Sequence, residues 1–185
     1  QRTYVHKGMG LVADVFDETS LSNLKGHMAI GHTRYSTTGS SLLKNAQPIL
    51  VDYSRGSLAV AHNGNLVNAD VLRAELEAHG SIFQTTVDSE IILHLMANPK
   101  YVRREEALVD TLKRIRGAYT LVFLTEEELI GVRDPNGFRP LCLGKLGEAH
   151  ILASENCALD LIGATFVREI EPGEAVFINQ KGVRS

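Results

Sequence analysis

Three short stretches of this 185-residue sequence concentrate groups able to bind or act on a small polar molecule. The first, GHTRYSTTG at residues 31–39, sets His32, Arg34, Tyr35 and the hydroxyls of Thr33, Ser36, Thr37 and Thr38 between two glycines. An arginine presents a planar fork of donors matched to a carboxylate or phosphate, and Thr37 and Thr38 could complete such a grip. The same residues also suit a loop whose hydroxyls close its own turns. The second, HNGN at residues 62–65, carries the Asn-Gly pair that is a strong signal for a tight hairpin turn. An Asn amide and a neighbouring Gly N–H at a strand end can instead donate together to a developing oxyanion. The third, TVDSE at residues 86–90, offers Asp88 or Ser89 as the cap of a following helix, or Asp88 as the partner of a ligand ammonium. Residues 134–140, DPNGFRP, read as a turn dictated by two prolines and a glycine.

Periodicity indicates the elements that must position these groups. Two apolar runs, MAIGH and LAVAH, each end in a histidine followed by polar, glycine-containing sequence. Neighbouring strands over 27–33 and 57–62 are therefore expected to deliver their loops to one edge. The segment TYVHKGMGLVADVF at residues 3–16 reads as a strand pair or a strand and turn, and residues 39–53 as a loop. Helices are expected over 68–78, capped by Asn68 and stopped at Gly80, over 88–97, where Asn98-Pro99 ends the run, and over 104–115. Beyond Gly117 the period becomes alternating in AYTLVFLT, LIGVRD, PLCLGKL, AHILAS, TFVREIE and AVFINQ, broken only by a short helical pattern over 157–162. Helices grouped between early strands and a late antiparallel run predict an α+β fold in place of a doubly wound one.

Composition narrows the function class. Hydrophobic residues are 44% and charged residues 22%, and 19 Lys and Arg against 22 Asp and Glu give a net charge of −3. This is one ordinary globular domain, large enough for folding to bury about 70% of the extended chain's surface. The basic residues are scattered, so no footprint for a phosphate backbone exists and nucleic acid is not an expected partner. Apolar runs such as IILHLMA fall well short of the roughly 20 residues that cross a bilayer, and the first residues lack a signal pattern. No membrane partner is expected, and a cytoplasmic location is. Cys142 and Cys157 are too few for a disulfide framework and read as reduced, buried thiols.

Taken together, GHTRYST, AHNGNL and the TVDSE stretch, in that order, resemble the class II glutamine amidotransferase domain of the N-terminal-nucleophile hydrolases. DPNGFRPL, SENCALDLIGA and REIEPGE are similar to the amidophosphoribosyltransferase branch of that family. The resemblance spans essentially the whole chain. It implies a four-layer αββα sandwich of antiparallel sheets. It also implies that Arg34, with Thr37, holds glutamine's α-carboxylate and that Asp88, with the Gly64 region, holds its α-ammonium. Asn63 and the Gly64 N–H would form the oxyanion hole. In the family's reaction the thiol of an N-terminal cysteine, with its own α-amine as base, attacks the side-chain amide and releases ammonia. The ammonia is used at a phosphoribosyl pyrophosphate site to make phosphoribosylamine, the first committed step of purine biosynthesis.

The sequence begins with Gln1, and neither Cys142 nor Cys157 offers the free α-amine that this reaction needs. The expectation is an N-terminally truncated domain, lacking the opening strand and helix, the cysteine nucleophile and the phosphoribosyltransferase domain, and therefore catalytically incompetent alone. No cofactor is expected in this chain; magnesium and, in some members, an iron–sulfur cluster would belong to the missing domain. An uncovered cleft would favour a homo-oligomer. Two alternatives remain at this stage: a glutamine-binding or regulatory module without hydrolysis, and the glutaminase domain of another class II amidotransferase, such as the glucosamine-6-phosphate synthase or asparagine synthetase type.

Overall fold

The computed structural model describes residues 2–34 and 42–185. The strands are β1 (Ile49–Tyr53), β2 (Gly56–Leu66), β3 (Gly117–Leu124), β4 (Leu129–Arg133), β5 (Cys142–Leu146), β6 (Ala149–Ala153), β7 (Thr165–Glu169), β8 (Ala175–Asn179) and β9 (Gly182–Arg184), and all but β5 carry β-branched or aromatic residues. Six of them make one sheet in the order β1-β2-β3-β4-β8-β9, and three make a second in the order β6-β5-β7. Each pairing is antiparallel.

The alternation of side chains assigns each face its layer. On the large sheet, Leu58, Val60, Leu121, Phe123, Ile130, Val132 and Phe177 share one core with the helical residues. Those come from α3 (Ala69–Ala78), α4 (Ser89–Met96) and α5 (Arg104–Arg114). The α4 helix buries Ile91, Ile92, Leu93, Leu95 and Met96, which makes it the central helix of this layer. On the opposite face, Val176 and Ile178, with Leu129, meet Leu143 of the small sheet and the flanking Leu141 and Ile170. A Cβ at Gly131 would lie 2.5 Å from the Leu152 side chain, so a larger residue there would force that side chain to shift. Beyond the small sheet, Leu159 of α6 (Cys157–Leu161) packs on Cys142 and Ala164. The order is helix, sheet, sheet, helix: the expected α+β, four-layer arrangement is present.

Side-chain bonds tie these layers together. Arg55, in the β1–β2 turn, donates to the carbonyls of Met96 and Tyr101 and so satisfies the end of α4. Between the sheets, Arg168 of β7 makes a two-pronged pair with Glu174 at 2.7 and 2.8 Å. The bond from Arg168, opposed by burial and aided by the Glu171 N–H, lowers the Glu174 carboxyl from 4.5 to about 2. Its folded value lies below its unfolded one, so its contribution is complete above about pH 4.5 and disappears as the pH falls toward 2. Thermal unfolding followed between pH 6 and pH 3 should show a drop in melting temperature that is smaller in Glu174→Gln. Equal drops in the two proteins would remove this pair from the acid response.

Several local expectations are corrected. Residues 3–16 form no ladder; instead they hold α1 (Val12–Val15), followed by α2 (Glu18–Asn23), which Asp17 and Ser20 cap reciprocally. Residues 27–33 form no strand and pair with none among the described residues, whereas β1 occupies part of the expected loop. HNGN is no hairpin turn: it lies inside β2, with Asn63 opposite Thr120 and Gly64 opposite Tyr119. The turn preference of Asn-Gly is overridden because the long β3 supplies a partner for each residue from Ala59 to Leu66. Asn68 precedes α3 but does not cap it with its side chain, which bonds to Arg114 O and Arg116 N instead. Cys142 is buried as expected, but Cys157 opens α6 in an exposed position.

Candidate functional site

The site forms where β2 outruns its neighbour. β1 pairs only as far as the Ile49–Val60 match, while β3 accompanies β2 to Leu66. Among the described residues, 61–66 therefore have a strand on one side only. In place of the missing strand, the Gln47 side chain accepts from His62 N at 2.7 Å and donates to His62 O at 3.4 Å. Four residues on, Leu66 N donates to Asp88 Oδ2 at 2.9 Å. Backbone groups of alternate residues point the same way along a strand. The Gly64 N–H, midway between these two anchored residues, is thus directed to the same uncovered edge.

Gly64 has φ +148°, a value that side-chain-bearing residues rarely adopt, and a Cβ there would meet Ala118 O at 2.0 Å. Asn63 beside it is part-buried and makes no side-chain hydrogen bond to any described residue, so its amide is available to a ligand. Beneath this pair, the DPNGFRP turn acts as a buttress. Buried Asp134 accepts from Asn136 N and Arg139 N, while Thr120, opposite Asn63, donates to Pro140 O at 3.1 Å.

Asp88 ends the loop before α4 and contributes no cap bond to that helix. Its carboxylate instead meets Leu66 N, His62 Nδ1 at 3.3 Å and Ser89 Oγ at 3.4 Å. Burial pushes the Asp88 carboxyl up, but the hydrogen bond from His62, with Leu66 N–H and Ser89, outweighs it and holds it below its ordinary value. It remains a carboxylate at neutral pH. The loop is itself fastened: Glu90, buried on α4, accepts from Gln84 N at 2.8 Å and from Thr85 N at 2.7 Å. Asn45 and Thr86 exchange two bonds of 3.0 and 3.1 Å.

Arg34 is exposed, and His32 close by is part-buried. Burial pulls the His32 imidazole below its ordinary value, and the Arg34 charge adds to the shift. A cavity of about 800 Å³ lies between this segment and the sheet, with His32, Arg34, Gln47 and Ala59 in its wall. Thr37 lies outside the described residues. The structure thus brings Asn63, Gly64 and Asp88 to the end of β2, and sets Arg34 in the wall of the cavity that Gln47 also lines. It adds His62 and Gln47, which sequence reasoning missed. The signal for the first was the histidine closing LAVAH, read there only as the end of a strand.

Neither thiol belongs to this group. Burial, helped by Glu169, pushes the Cys142 thiol up, and it packs toward α6 on the far side of the small sheet. A bond to Glu155 pushes Cys157 up as well. Among the described residues no three His, Cys, Asp or Glu side chains converge as metal ligands.

Residues 32–160 match the family model described as the glutamine amidotransferase domain. The chain is 53% identical over 178 residues to the chloroplastic amidophosphoribosyltransferase 2 of Arabidopsis thaliana, covering 96% of this chain and 32% of that protein. It is 46% identical over 186 residues to the amidophosphoribosyltransferase of Bacillus subtilis, covering 100% of this chain and 39% of the relative. The solved glutamine phosphoribosylpyrophosphate amidotransferase of B. subtilis, complexed with ADP and GMP, superposes with a TM-score of 0.91 at 47% identity. That match covers 97% of this chain and 39% of the other. The chain thus spans between about a third and two-fifths of these relatives' length.

Proposed function

The chain belongs to the glutamine amidotransferase domain family, and we propose that it is the glutamine-binding, ammonia-releasing part of an amidophosphoribosyltransferase. The observation that carries this reading is the end of β2, where an unengaged Asn63 amide and the outward Gly64 N–H stand beside an ionised Asp88. Arg34 receives the α-carboxylate of glutamine and Asp88 its α-ammonium. This leaves the side-chain amide directed to Asn63 and Gly64. When a thiolate attacks the amide carbon, charge moves to the carbonyl oxygen, and these two fixed donors stabilise it. The attacking thiol is neither Cys142 nor Cys157. Ammonia is then consumed at a phosphoribosyl pyrophosphate site on a further domain, giving phosphoribosylamine; magnesium and, in some members, an iron–sulfur cluster belong to that domain.

Glutamine binding to this chain, measured by titration calorimetry, tests the reading. Arg34→Ala should weaken it by about 10- to 100-fold, the worth of a charged hydrogen-bonded pair. Unchanged affinity in the variant would remove Arg34 from the carboxylate grip. A second reading is a module that grips glutamine without cleaving it. Glutaminase turnover by the polypeptide as its gene encodes it decides between the two.

A further inference from the structure

We infer that His62 is a positioning residue that aims the Asp88 carboxylate at the α-ammonium of a bound amino acid, an inference that rests on the glutamine reading above. The His62 side chain is 1% exposed, whereas that of Asp88 is 21% exposed, so the ring lies behind the carboxylate and the carboxylate faces the ligand. Backbone bonds to Gln47 and pairing with Leu121 fix where the ring starts. Leu66 N holds Oδ2, and His62 Nδ1 and Ser89 Oγ are the side-chain groups near Oδ1. Two held oxygens fix both the position and the plane of the carboxylate.

The proton inventory of the ring supports this assignment. His62 Nε2 is buried and has no hydrogen-bond partner among the described residues. An imidazolium would bury an unmatched N–H there, and an Nε2–H tautomer would do the same while setting an Nδ1 lone pair against the carboxylate. The tautomer that suits the site is neutral with its proton on Nδ1. It donates to Asp88 without cancelling the carboxylate charge, and that charge remains for the ligand ammonium. The titratable groups around the ring are Asp88, from the start of α4, and His32, from the segment that leads to Arg34.

The test compares L-glutamine with glutaramate, the same molecule without its α-ammonium, by calorimetry on this chain. The unsubstituted chain should favour glutamine by about 10- to 100-fold. His62→Asn places an amide N–H near the position of Nδ1 and should keep most of that preference. His62→Gln places its amide nearer Nε2 and should lose most of it, with glutaramate affinity unchanged in both variants. A general packing defect would weaken both ligands together. That result, or equal preferences in the two variants, would overturn the positioning role. An unsubstituted chain that binds neither ligand would overturn the glutamine reading itself, and this inference with it.

Discussion

Replacing Gly64 by alanine should be the most damaging single-methyl change in the protein, lowering its stability by about 3–5 kcal/mol and abolishing measurable glutamine binding. The added Cβ would lie 2.0 Å from Ala118 O, and that atom is backbone in the paired strand β3, so no side chain can swing aside. At φ +148° the residue also holds a conformation strained for alanine. Relief requires β2 and β3 to part at the point where the Gly64 N–H is displayed. Gly147→Ala is the control: its φ of +56° is also left-handed, but nothing lies within 4 Å of its Cβ, so only about 1 kcal/mol is expected. Urea unfolding of the two variants separates collision from backbone preference. Similar midpoints for both would show that β2 and β3 accommodate the methyl group.

The second large effect is on chemistry and not on stability. Asn63→Ala should lower glutaminase kcat by about 10²- to 10³-fold in a polypeptide that carries the nucleophile, with little change in KM. The Asn63 side chain makes no hydrogen bond to any described residue, so its removal leaves no buried group unpaired in the resting protein. Its backbone pairing with Thr120 does not depend on the side chain. Melting temperature should therefore hardly move. A kcat within threefold of the unsubstituted enzyme would remove Asn63 from the oxyanion hole, and a rise confined to KM would reassign it to ground-state binding.

Much of the architecture was legible because its causes are local. The buried run IILHLM needs a helix to place Ile91, Ile92, Leu95 and Met96 against one sheet, and that period is printed in the sequence. The late strands alternate for the same reason: one face meets the helices and the other meets the small sheet. The errors fall where pairing partners are distant. HNGN has a hairpin's composition, yet β3, more than fifty residues away, holds it as a strand. Residues 27–33 have a strand's composition, yet no strand lies beside them among the described residues.

The sequence by itself determined which groups could recognise a carboxylate, an ammonium and an oxyanion, because residue type fixes that chemistry: Arg34, Asp88, and Asn63 with Gly64. It also determined the helix and strand periods that sort buried from exposed faces. Only the tertiary structure decided that Asp88 turns to the end of β2 and does not cap α4, since the choice depends on Leu66 N and His62 arriving from another element. It alone decided that the Gly64 N–H is left at an open edge, because that follows from where β1 stops and where Gln47 takes over its pairing. Intrinsic preference is a property of a few neighbouring residues, whereas orientation at a site is set by contacts between segments far apart in the chain.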